Sequence, residues 1–315
     1  SPQILTIGPL HEMLSEISSA DHCKAICVLR FMKRHGISDA KQLVKRVLND
    51  PPNLDIHYSS LPAYDPETLQ LMVTVDTIFI YEFLLWLWIE FQPKTEESRS
   101  QLMQHDYFYT FCKNEITTNQ ILRDLFLMGN QIPMLFLKKL IGEFPKKPNI
   151  ENDLKLNKVL VNIIKAADPF YMWHPRYDIF ENPENLHNCE HLLDCLYVWV
   201  IRTTLIKTKR KAINPCRIPR LLNLFRTEQA AHKITIYRNR LPTASQLSKA
   251  GIWFRAIEGS ISVMKYDKQN LRFDLPGLLV EDSTADVLKN FLAYEDSLSN
   301  TGGEFSMYVL TMYSL

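Results

Sequence analysis

Residues 76–91 read DTIFIYEFLLWLWIEF, with apolar side chains at almost every helical angle. A helix that is apolar all round belongs in the middle of a large core or in a membrane. The run is interrupted by Glu82 and Glu90 and falls short of the roughly 20 residues a bilayer requires. It therefore predicts a central, buried helix, and a fold assembled around it from amphipathic neighbours.

Those neighbours are visible on both sides. Residues 18–36, SSADHCKAICVLRFMKRHG, start with Ser and Asp, space Ile26, Leu29 and Met32 at helical intervals, and stop at Gly36. Residues 38–50, SDAKQLVKRVLND, offer Ser38 as a cap and place basic residues late, as the helix dipole favours. In 64–76, YDPETLQLMVTVD, Asp65 is the expected N-cap and Pro66 the first helical residue. Residues 183–210, PENLHNCEHLLDCLYVWVIRTTLIKTKR, read as one long helix with Leu192, Leu196, Trp199 and Val200 on its apolar face.

The pattern changes near residue 252. IWFRAI, SISVMKYD, NLRFDLP and GLLVED are short, rich in β-branched and aromatic residues, and separated by turn chemistry at Glu258-Gly259 and Asp267 to Asn270. They predict a small antiparallel sheet over 252–281, before helical spacing returns in STADVLKNFLAYEDS with Ser283 or Thr284 as cap. The expectation is a predominantly helical α+β fold in a single domain, residues 1–315. Its helical part covers 1–250, and a β-module plus helix covers 251–315.

Totals exclude several function classes. The chain is 46% hydrophobic and 23% charged, ordinary for a packed protein, and its 36 basic and 35 acidic residues leave a net charge of +1. That balance makes no case for nucleic acid as a partner. Only 9 glycines occur in 315 residues, and neither GxGxxG nor GxxxxGK is present to cradle a phosphate. HExxH, EF-hand and GxSxG signatures are also missing. Six cysteines in so long a chain do not make a disulfide scaffold. With no N-x-Ser/Thr sequon, this leans toward a reducing, non-secretory exposure.

Three clusters invite chemistry. His187, His191 and Cys195 fall at i, i+4 and i+8, with Cys189 and Glu190 beside them, and zinc accepts such ligands. The competing reading makes His187 a helix-start residue and Cys195 a small core residue, and no known zinc spacing is present. Cys23 and Cys27 lie one turn apart near His22, again readable as buried helix thiols. Lys207, Lys209, Arg210 and Lys211, followed by Arg217 and Arg220, form the dense basic run. That run is a possible anionic-partner patch or a solvated helix end. No cofactor and no catalytic set is expected.

Residues 123–140, RDLFLMGNQIPMLFLKKL, bury amides and a proline in an apolar run. The local expectation is a helix–break–helix joint. Gly129 ends a helix over 121–128 in a left-handed conformation, and Asn130 caps a helix over 131–140 by accepting the Ile132 N–H. Pro133 sits in the first turn, where no intrahelical donor is lost, and Gln131 bonds backbone groups left open at the break.

Six stretches in order complete the reading: ILTIGPLH, DTIFIYEFLL, RDLFLMGNQIPMLFLKKL, EHLLDCL, LPTASQLSKAGIWF and GLLVEDSTADVLKNFLAYED. Together they resemble the plant proteins grouped as domain of unknown function 247, over nearly the whole chain. Gly129 stands where the family usually has Glu, and Leu241, Thr243 and Ser245 are conservative exchanges in a motif that commonly reads Ile-Pro-Ser-Ala-Thr. The resemblance brings no catalytic residue and no cofactor. It implies a non-enzymatic recognition protein whose partner is a protein, a paralogue or a small secreted peptide. Grass relatives are linked to gametophytic self-incompatibility as candidate male (pollen) determinants. It also implies membrane association, at the plasma membrane or an endomembrane, through a C-terminal segment not in this chain. The present residues would then be cytoplasmic, the alternative being a soluble cytoplasmic protein. The competing function class is an uncharacterised enzyme or metal protein using His187, His191 and Cys195.

Overall fold

The computed structural model describes residues 2–12, 19–48, 54, 64–90, 107–143, 156–170, 189–202, 242–257, 261–280, 283–298 and 303–314. The fold is predominantly helical with one small sheet, an α+β protein as the sequence predicts. The chain forms two compact units, one of Ser1–Ala167 with Pro183–Cys195, the other of Asp168–Asn182 with Leu196–Leu315.

In the first unit lie α1 (Pro9–Glu12), α2 (Ser19–His35), α3 (Ala40–Leu48), α4 (Pro66–Glu90), α5 (Tyr107–Lys113), α6 (Glu115–Leu125), α7 (Met134–Glu143) and α8 (Leu156–Ala167). The division between units falls between Cys195 and Leu196, within α9 (Leu192–Arg202). Helix α4 is the axis. Asp65 accepts the Thr68 N–H at 3.0 Å and Pro66 is the first helical residue. No break follows, so the two segments join in one 25-residue helix, Pro66–Glu90.

This changes one expectation. The apolar run of 76–91 is too short for a bilayer by itself, but Pro66–Leu87 reaches the length and hydropathy of a span. Most of that stretch is buried inside the protein, with α2, α3 and α7 packed against it. Phe79 and Phe83 lie at full burial, Phe108 of α5 meets Phe79 edge-on, and Phe31 of α2 meets Tyr81. Full burial of a side chain of this size stabilises by about 1.5–3 kcal/mol relative to exposure. The packing fixes the helix as core.

Helix α2 ends as its sequence predicts. Gly36 has φ +65°, and the Ile37 N–H returns to the Met32 carbonyl at 2.9 Å, the left-handed closure that glycine adopts without a Cβ penalty. Helix α3 begins one residue later than expected. Asp39, not Ser38, caps it, accepting the Lys41 N–H at 3.0 Å.

The second unit contains α10 (Ala244–Lys249), β1 (Trp253–Ile257), β2 (Lys265–Asp267), β3 (Arg272–Pro276), α11 (Thr284–Ser297) and α12 (Glu304–Ser314). The sheet order is β1-β3-β2. The turn at Asp267 to Asn270 makes β2 and β3 an antiparallel hairpin, closed by the Asp267 side chain accepting the Gln269 and Asn270 N–H groups. Strand β1 joins β3 in parallel, pairing Trp253 with Arg272 and Ile257 with Pro276, so the sheet is mixed. A parallel neighbour needs a crossover of about a dozen residues or more, which the chain between β1 and β3, β2 included, supplies. Of GLLVED, read as part of the sheet, residues 277–280 form no strand; the Leu279 N–H bonds the Pro169 carbonyl at 2.9 Å.

Helix α10 was not foreseen, although its signal is written in the sequence. Thr243 and Gln246 form a reciprocal capping box, the Ser/Thr-x-x-Glu/Gln signature of a helix start. Helices α11 and α12 meet through Phe291 and Phe305, centroids 5.1 Å apart, and Tyr308 of α12 lies edge-on to Phe170.

Candidate functional site

The polar residues of the first four of the six stretches fall in the first unit, and they bind main chain or a counter-ion. The N–H groups of Gln3, Ile4, Leu5, Ile7 and Gly8 each bond a side chain of a distant segment. The fully buried Asp124 carboxylate accepts the N–H groups of Gln3, Ile4 and Leu5 at 2.9–3.0 Å, and Arg123 balances its charge at 2.9 Å. Asn130 reads the same segment through both ends of its amide. Its Oδ1 accepts the Ile7 N–H, while Nδ2 donates to the carbonyls of Leu5 at 2.9 Å and Asp124 at 2.8 Å. The Gly8 N–H then reaches Asp76 Oδ2 at 2.7 Å, and Lys24 Nζ lies 2.7 Å from the other oxygen.

Buried charges need partners of this kind, since an ion taken from water without one costs several kcal/mol. Burial pushes the Asp76 carboxyl above the usual carboxylate range, and Lys24 and the Gly8 N–H oppose it. One helical turn and a half further on, Glu82 is held by a two-pronged bond from Arg34 at 2.8 and 3.0 Å, with Arg30 at 3.7 Å. The acids that interrupt the apolar runs are thus what couple α4 to α2 and α6 to the N-terminal segment.

The GNQIP joint departs from its local reading. Helix α6 ends at Leu125, Gly129 has no positive φ, and α7 starts at Met134 with Pro133 just before it. Asn130 caps no helix here; long-range bonds to residues 5 and 7 outcompete the Ile132 N–H. Gln131 serves the break, donating from Nε2 to the open carbonyls of Leu125 and Leu127, each at 2.8 Å. Its Oε1 accepts the Leu193 N–H at 3.2 Å, so it also caps α9. In return, the Glu190 carbonyl accepts the Met134 N–H, first of α7, at 2.6 Å. Two helix starts therefore satisfy each other's orphan donors.

This settles where His191 goes. Residues 189–191 are not helical and α9 begins at Leu192, because the chain there is committed to the joint. The i, i+4, i+8 alignment of the long-helix reading therefore does not form. His191 is the N-cap of α9, its Nδ1 accepting the Asp194 N–H at 3.0 Å, while Asp194 Oδ2 accepts the Glu190 N–H at 2.9 Å. Burial holds the His191 imidazole below its ordinary pKa, which keeps the neutral, accepting form that capping needs. His187 lies outside the described residues. Among the described residues no group of three or more His, Cys, Asp or Glu is arranged to hold a metal.

Cys195 and Cys189 are buried thiols hydrogen-bonded to each other, and that bond together with burial pushes the Cys195 thiol well up. Cys23 and Cys27 are buried in α2, and burial, with Glu82 adding, pushes the Cys27 thiol up. Thiols so shifted stay protonated and inert. Lys207, Lys209, Arg210 and Lys211 lie outside the described residues, as do Arg217 and Arg220.

In the second unit the same device recurs at residues the sequence reading did not single out. Glu295 of α11 is buried and accepts the Phe305 N–H at 2.9 Å, the Ser306 N–H at 2.7 Å, the Ser306 hydroxyl and the Tyr197 hydroxyl. It caps α12 from another helix. Asp168 accepts the Trp199 Nε1–H and the Phe170 N–H, both at 2.8 Å. Asp274 of β3 is covered by Arg255 at 3.0 Å, Arg272 at 2.8 Å and Lys265 at 3.7 Å. Burial works against its charge, but hydrogen bonds from Arg272 and Arg255 prevail and hold the carboxyl below its usual value.

A curated relative, a putative UPF0481 protein of Arabidopsis thaliana, is 22% identical over 384 aligned positions that cover all of this chain and 67% of the relative. No solved structure matches. The family model for DUF247, described as plant protein of unknown function, matches residues 1–315, so both compact units fall within one match. The chain belongs to the plant DUF247 family.

Proposed function

We propose that this chain is a non-enzymatic recognition protein that binds a partner protein or a small secreted peptide. A male (pollen) determinant of self-incompatibility is the specific form of that role which the family resemblance implies. The supporting observation is where the signature side chains go: Asp76, Asp124, Asn130, Gln131 and His191 each hold backbone or a counter-ion. Groups committed to main chain in this way give a rigid scaffold, and discrimination then belongs to the surface it carries. The intact protein is proposed to act at a membrane through a C-terminal segment outside this chain, with a soluble cytoplasmic protein as the alternative.

The test is affinity capture from pollen and stigma tissue with the intact protein as bait, followed by direct binding of each recovered candidate. Recovery and direct binding of a paralogue or a small secreted peptide is the expected result. Recovery of neither, together with turnover of a small molecule by the purified protein, overturns the proposal.

A further inference from the structure

Lys24 of α2 and Asp76 of α4 place a primary amine against a carboxyl group in the core. Nζ lies 2.7 Å from Oδ1, and the two side chains are only 4% and 2% exposed. Kept as ions, the pair carries the desolvation cost of two charges, which a close contact repays only in part. Passing one proton from Nζ to the carboxyl removes both charges, the route by which buried ionisable groups escape that cost. Burial already pushes the Asp76 carboxyl upward, toward its protonated form, with Lys24 opposing. A neutral amine beside a neutral acid is a nucleophile beside an electrophile.

The groups around the pair suit that chemistry. The Gly8 N–H donates to Oδ2 at 2.7 Å, and a backbone donor so placed stabilises an oxyanion formed at that atom. Asp21, three residues before Lys24 on α2, has Oδ1 3.8 Å from Nζ and its side chain 25% exposed. It is within reach to take a proton from the amine and pass it on. On α4, the Thr74 hydroxyl donates to the Gln70 carbonyl and the Thr77 hydroxyl to the Val73 carbonyl. Neither hydroxyl therefore donates to Asp76, and the carboxyl is left to Lys24 and Gly8.

We infer that Lys24 and Asp76 condense into an isopeptide bond that ties α2 to α4. The Nζ lone pair attacks Cγ of the protonated carboxyl, and the Gly8 N–H holds the oxyanion at Oδ2. Asp21 takes a proton from Nζ and delivers it to Oδ1, which already carries the acid's proton. The Cγ–Oδ1 bond breaks, one water leaves, and the Oδ2 electron pair closes to the amide carbonyl. Nothing is oxidised or reduced, and no other reactant enters. The amide is neutral, so the cost of two buried charges disappears with the water. Because Gly8 belongs to the segment held by Asp124 and Asn130, bond formation follows the docking of that segment. The reaction runs once per chain and does not depend on the recognition reading.

The test is the intact mass of the whole chain, measured under denaturing conditions after incubation near neutral pH. The mass should be one water below that of the sequence, and digestion should yield a branched fragment joining Lys24 to Asp76. Lys24→Arg keeps a cation but removes the nucleophile, and should show its full sequence mass. Asp76→Asn presents ammonia as the leaving group, and should reach the same cross-linked mass as the unaltered chain. Asp21→Asn should slow the loss of water about ten-fold or more in a time course of cell-free synthesis. Cooperative urea unfolding of each sample shows that the core is assembled. A folded, unaltered chain that keeps its full mass overturns the bond. So does a loss of water that persists in Lys24→Arg or maps to other residues.

Discussion

Replacing Asn130 with leucine removes three hydrogen bonds at once, to the Ile7 N–H and to the carbonyls of Leu5 and Asp124. If the N-terminal segment stays in place, three buried backbone groups lose their partner, at about 1–3 kcal/mol each. If it lifts off instead, Leu5 and Ile7, both fully buried, become exposed, at about 1.5–3 kcal/mol each. The protein takes the cheaper route, so the expected loss is about 3–6 kcal/mol. A residue that merely caps the next helix predicts about 1 kcal/mol, and the two accounts separate cleanly. The assay is urea denaturation, with amide exchange at Leu5 and Ile7 reporting on the segment itself. Faster exchange at both amides should accompany the loss. A loss below about 1.5 kcal/mol, nearer the capping figure, with exchange at Ile7 unchanged, would refute the clamp.

Glu295→Gln keeps one acceptor oxygen and loses the charge that faces the α12 start, so it should cost about 2–4 kcal/mol, against about 1 kcal/mol for Ser306→Ala; equal losses in urea melts contradict the hub. Two buried tyrosines of the second unit, Tyr197 and Tyr308, should respond oppositely. Tyr197→Phe leaves Glu295 short of a donor and should destabilise by about 1–2 kcal/mol. The Tyr308 hydroxyl has no partner among the described residues, and burial pushes it up to about 12. Tyr308→Phe should therefore be neutral or stabilising by up to about 1 kcal/mol; a clear loss would reveal a missed partner. Asp274 gives a pH dependence. Its folded pKa is depressed, so on acidification the unfolded chain takes up the proton first. The contribution is present above about 3.8, the ordinary value, and is lost as pH falls through the lower folded value. Asp274→Asn should flatten that limb of the β-module's acid unfolding, and an unchanged slope rules out this source.

Much of the fold can be read locally. Asp65 and Pro66 start α4, and Gly36 ends α2, because caps and left-handed stops depend on a few neighbouring residues. The change to a sheet near residue 252 is equally local, as is the Asp267 turn that sets the hairpin. The Thr243–Gln246 capping box is legible as well, though short helices are easily passed over.

What the sequence by itself determined is therefore the end of α2, the start of α4, the change to a sheet near residue 252, the apolar axis of residues 76–91 and, through six ordered stretches, the family. Tertiary structure alone decided what the polar residues do. Asn130 has a cap site two residues away, yet its amide turns to residues 5 and 7, over 120 positions distant. His191 looks like a metal ligand at helical spacing until the Glu190–Met134 bond holds that stretch out of helix. The parallel placement of β1 likewise depends on a crossover, not on propensity. The physical reason is common to all three. A buried backbone group must find a partner, and which side chain supplies it depends on what packing brings near, at any separation along the chain.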